Sequence, residues 1–222
     1  MKNSAACAKK FKALIRKQAA AEATPCDDGP TGELIYSSLL WNATSRQAGA
    51  AYKRMLRSVV DFNDLRHNHA AETIDLLGAS YPLAAERAKR LRAMLRSIYL
   101  REHDVTLEVL ATLSKAECRQ YLETLAGVSP FVANRVLAIC CDVAAMPVDD
   151  RARECLIAAG AADESVSVPD LAVWVTRQVK AADMVPTLAK LQKWVESQPK
   201  RRPVRKKTPS RKKAPAGRRR AS

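Results

Sequence analysis

Apolar residues recur along this chain at spacings of three and four, the pattern of helices that each bury one face. Cys7, Phe11, Leu14 and Ile15 share such a face in a first helix that ends before Thr24-Pro25, and residues 26–30 form a Cys-Asp-Asp-Gly-Pro loop. Thr31 is placed to cap a second, strongly apolar helix running from Glu33 to Trp41. Asn42-Ala43-Thr44-Ser45 breaks it before a third helix carrying Tyr52, Met55, Leu56, Val59 and Val60, and shorter pieces follow between Phe62 and Leu77. From Pro82 to about Leu100 a basic helix sets Leu83, Arg87, Leu91, Met94, Leu95 and Ile98 at helical spacing. Ser114-Lys115-Ala116-Glu117 then opens another helix as a capping box, which stops at Leu125. Gly127 offers the permissive backbone of a turn, and Pro130 suits the first position of a helix with Val132, Val136, Leu137 and Ile139. Further helices are expected near Asp149-Asp150, after Pro169-Asp170, and from Pro186 to Glu196. No repeat of fixed period is visible.

With 222 residues and 47% hydrophobic side chains the chain can bury a sizeable core. Aromatics make up only 5%, helix formers fill nearly every window, and continuous β-branched runs are scarce, so the expected class is all-α, a two-lobed helical bundle. The net charge of +15 is unevenly placed, because residues 200–222 hold twelve of the 38 bases and no acid. The body that precedes them carries 26 bases against 23 acids. Residues 1–199 therefore read as the helical domain. The stretch 200–222, with prolines between basic triplets and no large apolar side chain but Val204, cannot offset its ordering entropy and reads as a disordered tail. Its Thr-Pro-Ser-Arg-Lys-Lys and Lys-Lys-Ala-Pro pieces resemble linker-histone tails, and such a block suits a polyanion. A solubilising or targeting tail is the plainer alternative.

Cysteines 7, 26, 118, 140, 141 and 155 form no Cys-x-x-Cys pair and are expected as reduced, mostly buried thiols. His67 and His69 alternate without further ligands nearby, so no metal site is expected. The N-terminal stretch lacks the apolar core of a signal peptide and no run has membrane-spanning length, which points to a cytoplasmic, nucleoid-associated protein without a membrane partner.

Two helices joined by Leu-Ala-Gly-Val-Ser-Pro-Phe-Val-Ala at 125–133, with Val148-Asp149 about twenty residues later, resemble the helix-hairpin-helix DNA glycosylase superfamily of the endonuclease III type. The hairpin pattern there is Leu-Pro-Gly-Val-Gly-x-x-Thr-Ala. ELIYSSLLWNATS resembles the family's apolar helix with its Gln-Ala-Thr turn, SYPLAAERAKRL its Tyr-containing helix, and MPVDDRAREC its Val-Asp-Thr-His segment, so the likeness spans roughly residues 5–196. Four departures matter. Ser129 replaces the second hairpin glycine, and Phe131 stands where bifunctional members carry the Schiff-base lysine, with Lys115 too far back to be assumed its substitute. The four cysteines of the iron–sulfur cluster have no counterpart beyond Cys155, and Arg151 and Glu154 take the places of a His and an Arg.

The resemblance implies Asp149 as the catalytic carboxylate, since breaking an N-glycosidic bond builds positive charge on the sugar that an anion stabilises. Asp is equally suited to capping a helix there, and Asp150 next to it could do either job. Gly127, Val128 and Ser129 would offer backbone N–H groups to a phosphate of double-stranded DNA, or form an ordinary helix–helix turn. Asn42 matches a position that fills the space left by a flipped base, or it bonds its own backbone at a helix break. Tyr36 and Trp41 could stack on a base, or belong to the core. Lys206, Lys207, Arg211, Lys212 and Lys213 of the tail would lie along phosphates. The expected activity is monofunctional base excision by a monomer with no cofactor. A non-catalytic DNA-binding protein on the same scaffold and linker-histone-like compaction through the tail are the alternatives.

Overall fold

The computed structural model describes residues 4–21, 26–78 and 80–199, so the expectations for residues 200–222, including the five basic positions named above, lie outside the described residues. Within them eleven α-helices follow one another without a strand. They are α1 (Ser4–Arg16), α2 (Gly29–Leu40), α3 (Ser45–Ser58), α4 (Phe62–His67), α5 (Ala70–Leu77), α6 (Ala84–Glu102), α7 (Lys115–Glu123), α8 (Pro130–Cys140), α9 (Asp150–Ala158), α10 (Val168–Gln178) and α11 (Met184–Ser197).

Two separate apolar cores divide the chain into two lobes. One runs through α2 to α8, from Leu34 to Ala145, and holds Leu39, Met55, Leu95, Ile98, Leu122 and Leu137. The other joins α1 to α9, α10 and α11 around Phe11, Met146, Leu156, Leu171, Val175 and Leu191. The first helix is thus separated in sequence from the lobe it completes: Phe11 is buried there, its ring edge-on to Trp174 at 6.3 Å. Burying one such aromatic contributes on the order of 1.5–3 kcal/mol, enough to tie the N-terminus to the far end of the chain.

Three local expectations are corrected. Thr31 does not cap α2, which begins at Gly29 with Pro30 in its first turn; Thr31 is buried, and its hydroxyl oxygen accepts the Leu107 N–H at 2.9 Å. Val59 and Val60 fall outside α3, which ends at Ser58: Val59 still packs against the first core, while Val60, on the extended chain before the Asp61 cap of α4, is 97% exposed. Leu83 is not part of the buried stripe of α6. It sits at φ 53 just ahead of the helix and is exposed. The Ser114–Glu117 capping box opens α7 as expected, and a second box, Thr44 with Gln47, opens α3.

Candidate functional site

The seam between the lobes is polar. Asp149 caps α9, and its Oδ1 accepts the Ala152 N–H at 2.8 Å. Its Oδ2 accepts the backbone N–H of Asn42, from the other lobe, at 2.9 Å. Asn42 holds a left-handed φ of 55, a region asparagine tolerates better than most residues, and its Nδ2 donates to Asp150 Oδ2 at 3.2 Å. The Asn42 side chain is turned toward α9 by that bond, and its Oδ1 is buried without a hydrogen-bond partner among the described residues. Burial raises the Asp149 pKa above its ordinary value, against the pull of the two N–H bonds. Arg151 extends the seam, donating to the Val195 carbonyl near the end of α11 at 3.1 Å, while Glu154 is exposed.

Behind the Asn42 turn stands a buried guanidinium. Arg87 donates to the carbonyls of Ser38, Trp41 (2.6 Å) and Pro82 (3.3 Å), satisfying the C-terminal end of α2. Burial lowers its pKa to about 10. Trp41 packs under Arg90, whose guanidinium carbon lies 4.9 Å from the ring centroid, and borders a space of only about 10 Å³.

The hairpin between α7 and α8 lies against α6. Gly127 has φ 83, and a Cβ there would meet the Arg90 carbonyl oxygen at 2.5 Å and the Ala93 side chain at 3.0 Å, so both conformation and close approach require glycine. Gly127 and Val128 are partly exposed. The Val128 N–H turns back to the Leu125 carbonyl at 3.4 Å, and Ser129 is buried as the cap of α8, its Oγ accepting the Val132 N–H. Among the three hairpin residues expected to face a phosphate, Ser129 has its side chain committed to the helix.

The largest space at the seam is a cavity of about 640 Å³ between α2, α3 and α11. Its wall includes Glu33, Tyr36, Tyr52, Arg135, Gln192 and Glu196. Glu33 is 1% exposed and Arg135 5%; Arg135 Nε donates to Glu33 Oε1 at 2.9 Å across the first lobe. The rings of Tyr36 and Tyr52 meet edge-on at 6.0 Å. A much smaller space of about 10 Å³, room for roughly one water, touches Asp149 and Phe131. It shares Arg135, Leu188 and Gln192 with the large cavity, so Asp149 stands one layer of side chains from it. A third cavity of about 430 Å³, by Asn42, Arg151 and Trp194, shares no residue with the Asp149 space. Phe131 itself is 4% exposed and packs in the first core.

Sequence reasoning missed Glu33 and Arg135. Each is the single charged residue of an otherwise apolar helix, α2 or α8, and the two signs are opposite, which is the signal of a buried pair. Of the six cysteines only Cys7 and Cys118 are fully buried, the other four being half-buried; burial pushes the Cys140 and Cys141 thiols up to about 12. The second lobe holds two cysteines, Cys7 and Cys155, too few for a four-thiolate cluster, and among the described residues no three His, Cys, Asp or Glu side chains are gathered to hold a metal ion. No helix of the described residues is long and apolar enough to cross a membrane.

No protein-family model matches the sequence, and no curated protein matches it. Solved structures do. A trapped covalent intermediate of endonuclease III with DNA superposes with a TM-score of 0.61 over 85% of this chain and 82% of that one, at 16% identity. Clostridium acetobutylicum 8-oxoguanine glycosylase/lyase, in complex with double-stranded DNA, gives 0.61 over 88% and 70% at 14% identity. H. pylori 3-methyladenine DNA glycosylase, bound to 1,N6-ethenoadenine, gives 0.59 over 87% and 97% at 13% identity. The chain has the fold of the helix-hairpin-helix DNA glycosylases.

Proposed function

We propose that the chain is a monofunctional DNA-repair glycosylase that binds double-stranded DNA at the nucleoid, draws a damaged or mismatched base from the stack, and hydrolyses its N-glycosidic bond without cutting the strand. The observation that carries this reading is the pairing of a base-sized cavity with a buried carboxylate one side-chain layer away, on a scaffold shared with proteins solved on DNA. Extrusion is needed because the bond to be broken is otherwise enclosed by the duplex.

In the reaction the C1′–N bond breaks with its electron pair leaving on the base, and the sugar passes through an oxocarbenium-like state. Ionised Asp149, held by two N–H bonds in a dry seam, stabilises that charge and takes a proton from the water whose oxygen bonds to C1′. The departing base takes up a proton. Each Asp149 oxygen accepts one N–H and keeps a second acceptor site, to which the attacking water can bond. Phe131 gives the site no amine for a covalent route.

One observation favours a second reading, a non-catalytic DNA-binding protein: both Asp149 oxygens are engaged by backbone, as in a purely structural cap. Incubation with duplexes carrying uracil, alkylated, oxidised or mismatched bases, followed by hot alkali, separates the two. A glycosylase leaves alkali-labile sites at one class of base, and a structural homologue leaves none.

A further inference from the structure

The 19-residue helix α6 carries the same device at both ends. Near its start Arg87 donates to the carbonyls of Ser38 and Trp41 at the end of α2, and the Asn42 turn follows directly. Near its other end Arg101 does this for α7, whose end leads into the hairpin. Arg101 Nη2 donates to the Thr124 carbonyl at 2.7 Å and Nη1 to the Tyr121 carbonyl at 3.2 Å, and the guanidinium carbon lies 5.0 Å from the centroid of the Tyr121 ring. Tyr121 Oη donates in turn to Glu102 Oε1 at 2.7 Å. The last carbonyls of a helix have no partner within it, so each arginine completes the helix that leads into one of the two turns.

Between these points the hairpin follows α6. Gly127 rests on the Arg90 backbone and the Ala93 side chain, and the Ala126 N–H donates to Ser97 Oγ at 3.3 Å. Arg90, Ala93, Ser97 and Arg101 are spaced by three, four and four residues, which places them on one stripe of the helix. Leu91, Met94, Leu95 and Ile98 bury another face of α6 in the first core, so the stripe stands on a fixed support. Ser38, Trp41, Arg87, Arg90, Gly127 and Ser129 close around one space of about 10 Å³, where the end of α2, α6 and the hairpin meet. The Gly127 N–H has no acceptor among the described residues, which leaves it as a donor for a ligand.

We infer that α6 is the common mount that holds the Asn42 turn and the hairpin in register for one duplex, with Arg87 and Arg101 as positioning residues for DNA. The inference rests on the reading of both turns as DNA-facing. A turn whose preceding helix has lost the partners of its last carbonyls must be ordered again when DNA arrives, and that ordering is taken from affinity. Holding two carbonyls at once needs the planar fork of a guanidinium; a lysine carries the same charge without the same grip.

The test uses the full-length protein and begins with an undamaged duplex, binding being followed by fluorescence anisotropy from low to moderate salt. Arg101 is exposed, so Arg101→Lys and Arg101→Met are expected to fold. Both are expected to bind roughly three- to tenfold more weakly, the effect of ordering a loosened loop, with the salt slope of the native protein. Native affinity in Arg101→Lys together with a slope flatter by about 0.9 in Arg101→Met would make Arg101 an ordinary phosphate contact and overturn the inference. Native affinity in both variants would overturn it as well. On a substrate duplex the two ends of α6 should separate. Arg87 stands behind the turn that gives its N–H to Asp149, so Arg87→Lys is expected to lower the saturated single-turnover rate of base release by about 10–100-fold, whereas Arg101→Lys shifts the half-saturating concentration more than the rate. An unchanged rate in folded Arg87→Lys counts against the mount, and if that variant does not fold the Arg101 comparison decides alone. Absence of base release from every duplex ends the glycosylase reading and leaves the Arg101 comparison standing, because it is read on undamaged DNA. Base release with native binding in both Arg101 variants does the reverse.

Discussion

Two carboxylates sit almost fully buried a few side chains apart, and the protein treats them differently. At Asp149 each oxygen accepts one backbone N–H, one from its own helix and one from the opposite lobe. At Glu33 one oxygen takes two side-chain donors and the other takes none. Both arrangements keep a charge out of water, but the first fixes the carboxylate in position while the second leaves it with bonding capacity unspent. The contrast separates them: Asp149 is tied to both lobes by backbone N–H groups, and Glu33 to two side chains within the first lobe. Phe131 borders Asp149 as part of the apolar packing between the helices.

The largest expected effect is on the chemical step. Asp149→Asn removes the charge and is expected to slow base release by ~10²–10³-fold in single-turnover assays, with a folded protein and retained DNA affinity. The substitution is not structurally silent. An amide offers one oxygen to two converging N–H groups, so its nitrogen faces a donor, and a stability loss of about 1–3 kcal/mol should appear in urea unfolding. Next in size comes the tail. If residues 200–222 lie along phosphates as a polycation, truncation after Pro199 flattens the salt dependence of DNA binding by roughly five units, at about −0.9 per contact. Full-length and truncated protein titrated from low to moderate salt check this, and coincident slopes would remove the tail from the DNA interface.

A smaller effect follows from the raised Asp149 pKa. Below the ordinary carboxyl value of about 3.9 both folded and unfolded states are protonated and the group contributes nothing. As pH rises through that value the unfolded state ionises first, so the folded state loses relative stability until Asp149 ionises too. The stability advantage of Asp149→Asn over the native protein therefore increases, or its deficit shrinks, from acid toward neutral pH. Base release, which needs the anion, falls on the acid side with a midpoint above the ordinary value, and an acid limb at or below about 3.9 would contradict the burial argument. The smallest effect is expected at Asp150. Its bond to the Asn42 amide is exposed and long at 3.2 Å, so Asp150→Asn should change the rate by no more than a few-fold.

Periodicity made the helices legible, down to the Ser114 capping box and the Pro130 start of α8, because both depend on residues adjacent in sequence. It failed where a partner distant in sequence decides the outcome. Thr31 reads as a cap until Leu107 claims its hydroxyl, and Leu83 reads as core until the chain enters α6 from a left-handed residue. The same limit governed the site. Asp149 could be singled out by the motif it resembles, but its second bond, from Asn42, spans 107 residues, and the Glu33–Arg135 pair spans 102. A lone charge in an apolar helix announces a buried partner; the sequence around it does not announce which.

Base release without strand cleavage is the outcome that separates this protein from one that only binds DNA or also cuts it. On whichever duplex of the lesion panel proves to be the substrate, one reaction should be divided into three portions: untreated, heated in alkali, and quenched with borohydride. The expected result is intact strand in the first, cleavage at the abasic site in the second, and no protein–DNA adduct in the third. A saturable adduct with strand scission before alkali would mean that a lysine has taken the role denied to Phe131, and the absence of alkali-labile sites on every duplex would mean that Asp149 only caps its helix.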